Sequence, residues 1–212
     1  MMASDSYLSI KEPAKAEFTE QRSRFIAFAW PVTGSDQVKP LLDSIQKEYY
    51  DARHICYAYM IGAQRDEWRA NDNGEPSGTA GKPILGQINS AELSDILIAV
   101  VRYFGGVKLG TSGLIQAYKF AAQSVIENAC KIEKFVTDKV EVYFRYNMTA
   151  YVMRFLKELD IQNFVQDYGS FEKCENVYEC KIEVNVRLTL LEQFKEKISN
   201  LINVVGTKDI II

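Results

Sequence analysis

Glycine is concentrated in one part of this sequence, residues 71–118, which holds eight of the twelve glycines in the 212-residue chain. Glycine tolerates positive φ and lets other groups approach the main chain closely. Two glycine-rich loops in this stretch, residues 73–81 and 105–113, each lead into a segment with helical periodicity. Loops that open helices present unpaired amides at the helix ends. The sequence therefore predicts a surface where these two loops meet a partner.

The segments around the glycine loops have the periodicities of strands and helices. Residues 24–31 are rich in aromatics and residues 54–61 are apolar on both faces, which predicts two strands. The apolar run 96–101 predicts a third, buried strand. Thr33 and Asp36 have the spacing of a capping box before a helix. A long helix is predicted after the second loop, with an apolar face formed by Leu114, Ile115, Tyr118, Ala121, Ala122, Val125, Ile126 and Ala129.

The pattern changes near residues 132–137, where regular alternation replaces the glycine-rich loops. Alternating strands and helical periodicities then follow in the order βαββαβ, which predicts a ferredoxin-like split sandwich. Thr189 and Glu192 have capping-box spacing before its second helix. We therefore predict an α+β protein of two domains, residues 18–134 and residues 135–212.

One face of the second domain's sheet is predicted to be free of helices. RNA recognition modules stack bases on several aromatics at such a face. The outward positions here are Glu141, Tyr143, Arg145, Glu179, Lys181, Glu183, Asn185 and Arg187. One aromatic among alternating charges favours a solvated or protein-contacting face instead.

Net charge and cysteine usage limit the classes of function. The chain has 25 Lys and Arg against 28 Asp and Glu, whereas general nucleic-acid binders are usually basic, so RNA contact would need a local patch. Without a signal-peptide pattern or a bilayer-length apolar run, a cytoplasmic protein with no membrane contact is predicted. Cys174 and Cys180, six apart, suit a disulfide or two metal ligands in principle, but free thiols are the preferred interpretation. No oligomeric state is predicted.

The segment around Lys82 is similar to a phosphate-binding loop but departs from it at two positions. Pro76 replaces the first glycine, and Pro83 replaces the hydroxyl residue that would bind magnesium, which argues against a nucleoside triphosphatase. A plain anion site at the two loops stays open, with Lys82, Arg102 and Lys108 supplying charge. The alternative is that the glycines only form tight turns against the sheet.

The titratable residues near the loops allow few catalytic arrangements. Asp72 and Glu75 flank an Asn-Gly turn and act either as turn formers or as a carboxylate pair for metal or acid–base chemistry. His54 is the only histidine, which excludes zinc sites that need two imidazoles. It shares a strand face with Cys56, but the spacing is too long for a direct nucleophilic pair, so a partly buried histidine is predicted.

Three segments of the sequence resemble the IMPACT/YigZ family: DNGEPSGTAGKPIL (residues 72–85), VVRYFGGVKLGTSGLIQAY (residues 100–118) and HICYAY (residues 54–59). The resemblance implies a first domain of the ribosomal-protein type βαβ fold, as in elongation factor G domain IV and RNase PH, and a ferredoxin-like second domain. Eukaryotic relatives act in translational control by binding a kinase-activating protein. Some bacterial relatives carry a proline-dipeptidase label, but this chain lacks the convergent carboxylates and histidines that such a metallopeptidase needs.

The family motif carries over residue by residue, with a departure at Arg53 and Ile55, where smaller or more polar residues are expected. The matching residues are Asp72, Gly74, Glu75, Pro76, Gly78, Thr79, Gly81, Lys82, Pro83, Arg102, Phe104, Gly105, Gly106, Lys108, Leu109, Gly110, Gly113, Leu114 and Tyr118, together with His54, Cys56 and Tyr57 of the shorter segment.

We predict a non-catalytic binding module linked to translation or its regulation, which contacts RNA, the ribosome or a translation-related protein. The predicted ligand and anion-binding residues are Gly78, Thr79, Gly81, Lys82, Arg102, Gly105, Gly106, Lys108, Gly110, Thr111, Ser112 and Gly113. No catalytic residue, metal ligand or cofactor is predicted. The alternative is a hydrolase or transferase, metal-dependent or acting on a phosphorylated ligand, that uses Asp72, Glu75 and the three cations.

Overall fold

The computed structural model describes residues 5–161, 164–205 and 210–211. The chain divides into two compact units, Ser6–Lys134 and Phe135–Ile212, and Asp5 belongs with the second. Both units combine helices with antiparallel sheets, so the predicted two-domain α+β fold class is confirmed. None of the described helices is both long and apolar enough to cross a membrane.

The first unit is built on a five-stranded antiparallel sheet with the strand order β2-β3-β6-β4-β5. Its elements are β1 (Ser6–Ile10), β2 (Ala14–Glu20), β3 (Ser23–Pro31), α1 (Val38–Glu48), β4 (His54–Ile61), β5 (Glu67–Asn71), α2 (Gly81–Ser90), β6 (Ile96–Tyr103), α3 (Gly110–Asn128) and β7 (Lys131–Phe135). The outlying β1 and β7 pair with each other in a separate two-stranded sheet.

The central strand β6 is buried on both faces, which explains its unbroken apolar sequence. Ile98 and Val100 face α2 and α3, while Ala99 and Val101 pack on the α1 side. The apolar face of α3 is as predicted at most positions because its alanines let the helix lie close to the sheet. Ile115 is the exception: it is 37% exposed, on the outer side of the helix.

The second unit has the predicted βαββαβ order and the strand order β11-β8-β10-β9. Its elements are β8 (Thr137–Phe144), α4 (Thr149–Glu158), β9 (Phe164–Lys173), β10 (Asn176–Arg187), α5 (Leu188–Val205) and β11 (Ile210–Ile211). On the charged face, Lys181 lies between Glu141 and Glu183, with Nζ–O distances of 2.9 and 2.6 Å. These partly buried ion pairs are compatible with the predicted solvated or protein-contacting face.

Neither predicted capping box forms, because each threonine bonds to a different residue from the one predicted. Thr33 exchanges hydrogen bonds with Gln37 instead of Asp36: its amide donates to Oε1 at 2.9 Å, and Nε2 donates to its hydroxyl at 3.4 Å. The amide and hydroxyl of Thr189 both donate to Asp5 Oδ2, at 3.1 and 2.6 Å. Hydrogen bonds from Arg187 and then Thr189 hold the pKa of Asp5 well below its usual range. A charged acceptor distant in sequence therefore replaces the local cap.

The four cysteines are free thiols, as the preferred interpretation predicted. Cys56 and Cys180 are buried, and Cys130 and Cys174 are exposed. The second unit therefore depends on its apolar core instead of a disulfide between Cys174 and Cys180.

Candidate functional site

Three segments of the family motif meet at one end of the first unit's sheet. In the pairing of β4 with β6, His54 lies opposite Arg102, so both are on the same sheet face. That face is covered by α2 and α3, and Tyr118 projects onto it from α3. The first glycine loop (residues 73–81) leads into α2, and the second glycine loop (residues 105–113) leads from β6 into α3.

A buried polar network joins the bases of the two glycine loops. Glu75 Oε1 accepts hydrogen bonds from Arg102 Nη1 at 2.6 Å and from the Tyr118 hydroxyl at 2.9 Å. The Arg102 and Glu75 side chains are 7% and 4% exposed. The Cys56 thiol lies 2.9 Å from the Asp72 carbonyl oxygen and 3.3 Å from the Tyr118 hydroxyl. We call these five residues the polar network.

The environment of the polar network keeps the Cys56 thiol and the Tyr118 hydroxyl protonated. Burial, only partly offset by the Tyr118 hydrogen bond, raises the pKa of Cys56 to about 12. Burial and the neighbouring Cys56 also raise the pKa of Tyr118 above its usual value. Since a thiolate is the reactive form of cysteine, Cys56 acts here as a buried hydrogen-bonding group.

Arg102 is buried, which corrects its predicted role as an anion-binding charge. Its guanidinium carbon lies 5.6 Å from the Phe25 ring centroid and 5.7 Å from that of Phe104, while its Nη1 faces Glu75. Within the described part of the chain, its buried Nε has no hydrogen-bond partner. Glu75 likewise binds Arg102 and Tyr118, so it does not form the carboxylate pair considered with Asp72.

Asp72 anchors the start of α2 from nine residues away. Its Oδ2 accepts the Gly78 amide at 2.8 Å, and its Oδ1 accepts the amides of Ala80 and Gly81 at 3.0 and 2.8 Å. The amides of Gly78, Ala80 and Gly81 are therefore already bonded, although unpaired amides were predicted at the start of this helix. Burial alone would raise the pKa of Asp72, but the amide donors and the Lys82 charge outweigh it and lower the pKa.

Asp72→Asn is expected to lower the free energy of unfolding by about 1.5–3 kcal/mol at neutral pH, because one charged acceptor of three amides is lost. Folding lowers the pKa of Asp72, so its ionised carboxylate stabilises the fold fully above the unfolded-state pKa of about 3.9. This stabilisation is lost as the pH falls through the folded-state pKa. The difference between wild type and variant should be constant above about pH 5 and shrink below about pH 4. Urea unfolding followed by Trp30 and Trp68 fluorescence measures it.

Asp43→Asn is the matched control, because Asp43 forms an exposed pair with Lys39 on α1. Its effect should stay within about 0.5 kcal/mol. An equally small effect for Asp72→Asn, or a difference that persists unchanged to pH 3, would contradict the anchoring role of Asp72.

Two of the predicted site glycines are positions of close packing. A Cβ on Gly81 would lie 2.5 Å from the Asn71 amide nitrogen, and a Cβ on Gly105 would overlap the Arg22 carbonyl group. The Gly105 amide donates to Ser23 Oγ at 3.2 Å. Close approach of main-chain atoms therefore requires glycine at these two positions. By contrast, Gly78, Gly106 and Gly110 adopt positive φ, and the last two have open space around them.

The exposed part of the motif lies mainly in the second glycine loop and at the start of α3. Lys108, Gly110, Thr111 and Ser112 are exposed, as are Lys82 and Pro76 of the other loop. Phe104, next to the second glycine loop, is 54% exposed. The start of α3 has no side-chain cap hydrogen bond and no acidic residue in its first turn. Of the three predicted cations, Lys82 and Lys108 reach the surface.

His54 is half-buried beneath the first glycine loop. Its Nδ1 donates to the Asn73 carbonyl at 2.8 Å, and the position of a Cβ on Gly74 would be 3.4 Å from its ring. Thr79 is buried, and its hydroxyl donates to the Pro76 carbonyl at 2.6 Å. Both residues therefore shape the first glycine loop. Across the described ranges, no group of three or more His, Cys, Asp or Glu is placed to hold a metal ion.

Sequence reasoning missed the contributions of Phe25 and the β2–β3 turn. Phe25 lies under Arg102 and meets Tyr118 edge-on at 5.4 Å between ring centroids. Its only signal in the sequence is its place in a strand. Arg22 and Ser23 contact Gly105 from a distant part of the chain, which no local pattern reveals.

The family model described as the Impact N-terminal domain matches residues 21–126. The IMPACT family member YvyE of Bacillus subtilis is 42% identical over 113 residues, which cover 53% of this chain and 52% of that protein. The IMPACT family member YigZ of Escherichia coli is 31% identical over 79% of this chain and 83% of its own length. A crystal structure of a hypothetical protein is 26% identical with a TM-score of 0.71, covering 97% of this chain and 96% of that one.

Proposed function

The chain belongs to the IMPACT family, and on that premise we propose that it is a non-catalytic binding module linked to translation or its regulation. The translational control that the family resemblance implies supports this link. The alignment spans about half of the Bacillus relative, so the activity and partners of the whole protein are part of the proposal.

The exposed second glycine loop on a fixed base is the observation that carries this proposal. Its base is held by Gly105 against the β2–β3 turn and by Arg102 in the polar network. Phe104 and Val107, 54% and 41% exposed, and Lys108 lie on the surface. A loop on a rigid scaffold is the usual place for a binding surface, and aromatic residues are common interface anchors.

The bonding of the polar groups favours a binding module over a hydrolase or transferase. Glu75 binds Arg102 and Tyr118, and Asp72 binds the amides at the start of α2. Cys56 is a neutral thiol, and His54 Nδ1 is bonded to a carbonyl. The carboxylates of Asp72 and Glu75 and the thiol of Cys56 therefore already stabilise a loop or the core, which leaves Nε2 of His54 as the base that the hydrolase test below addresses.

Phosphate-like groups of an RNA or ribosomal partner would meet this surface at the start of α3. Lys108, Thr111 and Ser112 are exposed there, beside the uncapped helix end. Lys82 lies beside the Asp72 carboxylate, which would repel an anion. The proposed anion contact therefore uses Lys108 more than Lys82.

Phe104→Ala is expected to weaken partner binding at least about tenfold, as for an interface anchor. Lys108→Ala should weaken it about fivefold and reduce its salt dependence, while Lys82→Ala should change it less. Co-sedimentation with ribosomes of the source organism measures this, with Tyr50→Ala as the control because Tyr50 is an exposed aromatic outside the motif.

Unchanged co-sedimentation in the Phe104 and Lys108 variants would reject this loop as the contact surface. The hydrolase alternative would instead be favoured by reproducible turnover of phosphoester, nucleotide or dipeptide substrates that His54→Ala or Asp72→Ala abolishes. General acid–base catalysis predicts a loss of about 10²–10⁴-fold in such a variant.

A further inference from the structure

A groove of about 600 Å³ runs between the end of β2 and the first half of α3, next to the second glycine loop. Phe18 and Phe120 line one part of it, and Leu109 and Ala117 line another. Phe120 is 52% exposed, so a large apolar side chain meets solvent at the groove. Burial of such a surface by a partner would be favourable.

The groove is formed by side chains that the core holds in place. The Phe18 and Phe120 rings meet edge-on at 4.8 Å between centroids, and Phe18 stacks on the buried Phe25 at 5.0 Å. At Gly113, a Cβ would lie 3.1 Å from the Leu109 Cβ, so glycine leaves room where a larger residue would displace Leu109. A preformed groove binds without a cost for ordering its walls.

The charge of the groove favours a protein segment over a nucleic acid. Of the residues that line it, all in the described part of the chain, Glu20 alone carries a formal charge. Nucleic-acid sites need cations to neutralise phosphates. Thr19, Gln21 and Gln116 add hydrogen-bonding groups to the apolar lining. This combination suits an apolar side chain next to a basic one.

We propose that this groove binds a short segment of a partner protein, with an apolar side chain against Phe18 and Phe120 and a lysine or arginine beside Glu20. The proposal rests on the proposed binding function and specifies the chemistry of a protein partner. The groove adjoins the second glycine loop but is not lined by Lys108 or Phe104, so variants of those two residues test the loop surface separately.

Two synthetic hexapeptides test the proposal: acetyl-Gly-Ser-Leu-Lys-Ser-Gly-amide and the same peptide with glutamate in place of lysine. In amide ¹H–¹⁵N spectra, the lysine peptide should cause saturable shifts at Gln116, Ala117 and Phe120. It should bind about three- to fivefold more tightly than the glutamate peptide, as expected for an exposed charge pair. Glu20→Lys should reverse this preference, which non-specific apolar binding would not do.

Gln116→Trp should fill the groove and weaken the lysine peptide at least about tenfold. Gln123→Trp is the matched control, because it makes the same change at an exposed position seven residues further along α3. Both sites are exposed, so the fold should be retained, and unchanged spectral dispersion verifies it.

The proposal is overturned by peptides that give no saturable shifts, by shifts located outside the groove, or by equal binding of the two peptides. Displacement of the lysine peptide from Gln116 by single-stranded oligouridylate would show a nucleic-acid site instead. If the peptides fail while Phe104→Ala still weakens ribosome co-sedimentation, the groove proposal alone is wrong. If the lysine peptide binds in the groove while Phe104→Ala and Lys108→Ala leave ribosome co-sedimentation unchanged, the loop surface is rejected and the groove is supported.

Discussion

Glu75→Gln is expected to lower the free energy of unfolding by about 3–5 kcal/mol, because it leaves the buried Arg102 guanidinium without its counter-charge. Glutamine has nearly the same shape as glutamate, so the effect isolates the charge. The Arg102 side chain is only 7% exposed, so solvent can do little to replace the lost carboxylate charge. Urea unfolding followed by the fluorescence of Trp30 and Trp68, both in the first unit, measures the loss.

Glu17→Gln provides a control at an exposed glutamate–arginine pair. Glu17 and Arg24 pair across β2 and β3 with side chains 41% and 52% exposed, so the loss should be at most about 1 kcal/mol. Adding Arg102→Met to Glu75→Gln should restore part of the stability, because the unpaired charge is removed. Equal losses at Glu17 and Glu75, or simply additive losses in the double variant, would refute the buried-charge explanation.

The polar network also explains why the family motif spans segments far apart in the sequence. Glu75 comes from the first glycine loop, Arg102 from β6 and Tyr118 from α3, and they meet at one carboxylate oxygen. Loss of that carboxylate would loosen the bases of both glycine loops together. The motif therefore holds both glycine loops in shape through buried side chains.

The elements best predicted from the sequence are those whose local pattern agrees with their tertiary environment. The apolar run of β6 is buried on both faces, and the apolar face of α3 packs on the sheet. The alternation in β10 places Ile182 and Val184 in the core and Lys181 and Glu183 on the charged face. In these elements burial and periodicity carry the same information.

The interactions that sequence reasoning missed join residues far apart in the chain. Asp72 anchors a helix that begins nine residues later, whereas capping rules consider the residues next to a helix start. Arg102 follows an apolar strand and would be expected at the surface, but Glu75, 27 residues away, stabilises it in the interior. Thr189 similarly bonds to Asp5 instead of forming its local box. Such partners become visible only when the fold is known.

Gly105→Ala is expected to lower the free energy of unfolding by about 3 kcal/mol or more, since the new Cβ would overlap main-chain atoms of Arg22 and Ser23. Those atoms have little freedom to move, because Gln21 and Arg22 form a tight turn with positive φ values of 44° and 66°. Displacement of these main-chain atoms by the new Cβ would also strain the hydrogen bond from the Gly105 amide to Ser23 Oγ. Urea unfolding followed by tryptophan fluorescence again measures the effect.

Gly86→Ala is the matched control for Gly105→Ala, and it should raise the free energy of unfolding instead of lowering it. Gly86 lies inside α2, and a Cβ there would have no described atom within 4 Å apart from those of the adjacent helical backbone. Alanine should therefore stabilise the helix by about 0.5–1 kcal/mol, because it restricts the unfolded chain and favours helical backbone. Opposite shifts of the two urea midpoints would support close packing as the reason for glycine at position 105. An unchanged midpoint for Gly105→Ala would mean that the β2–β3 turn moves freely, and the second glycine loop would then lack the fixed base on which its proposed binding role depends.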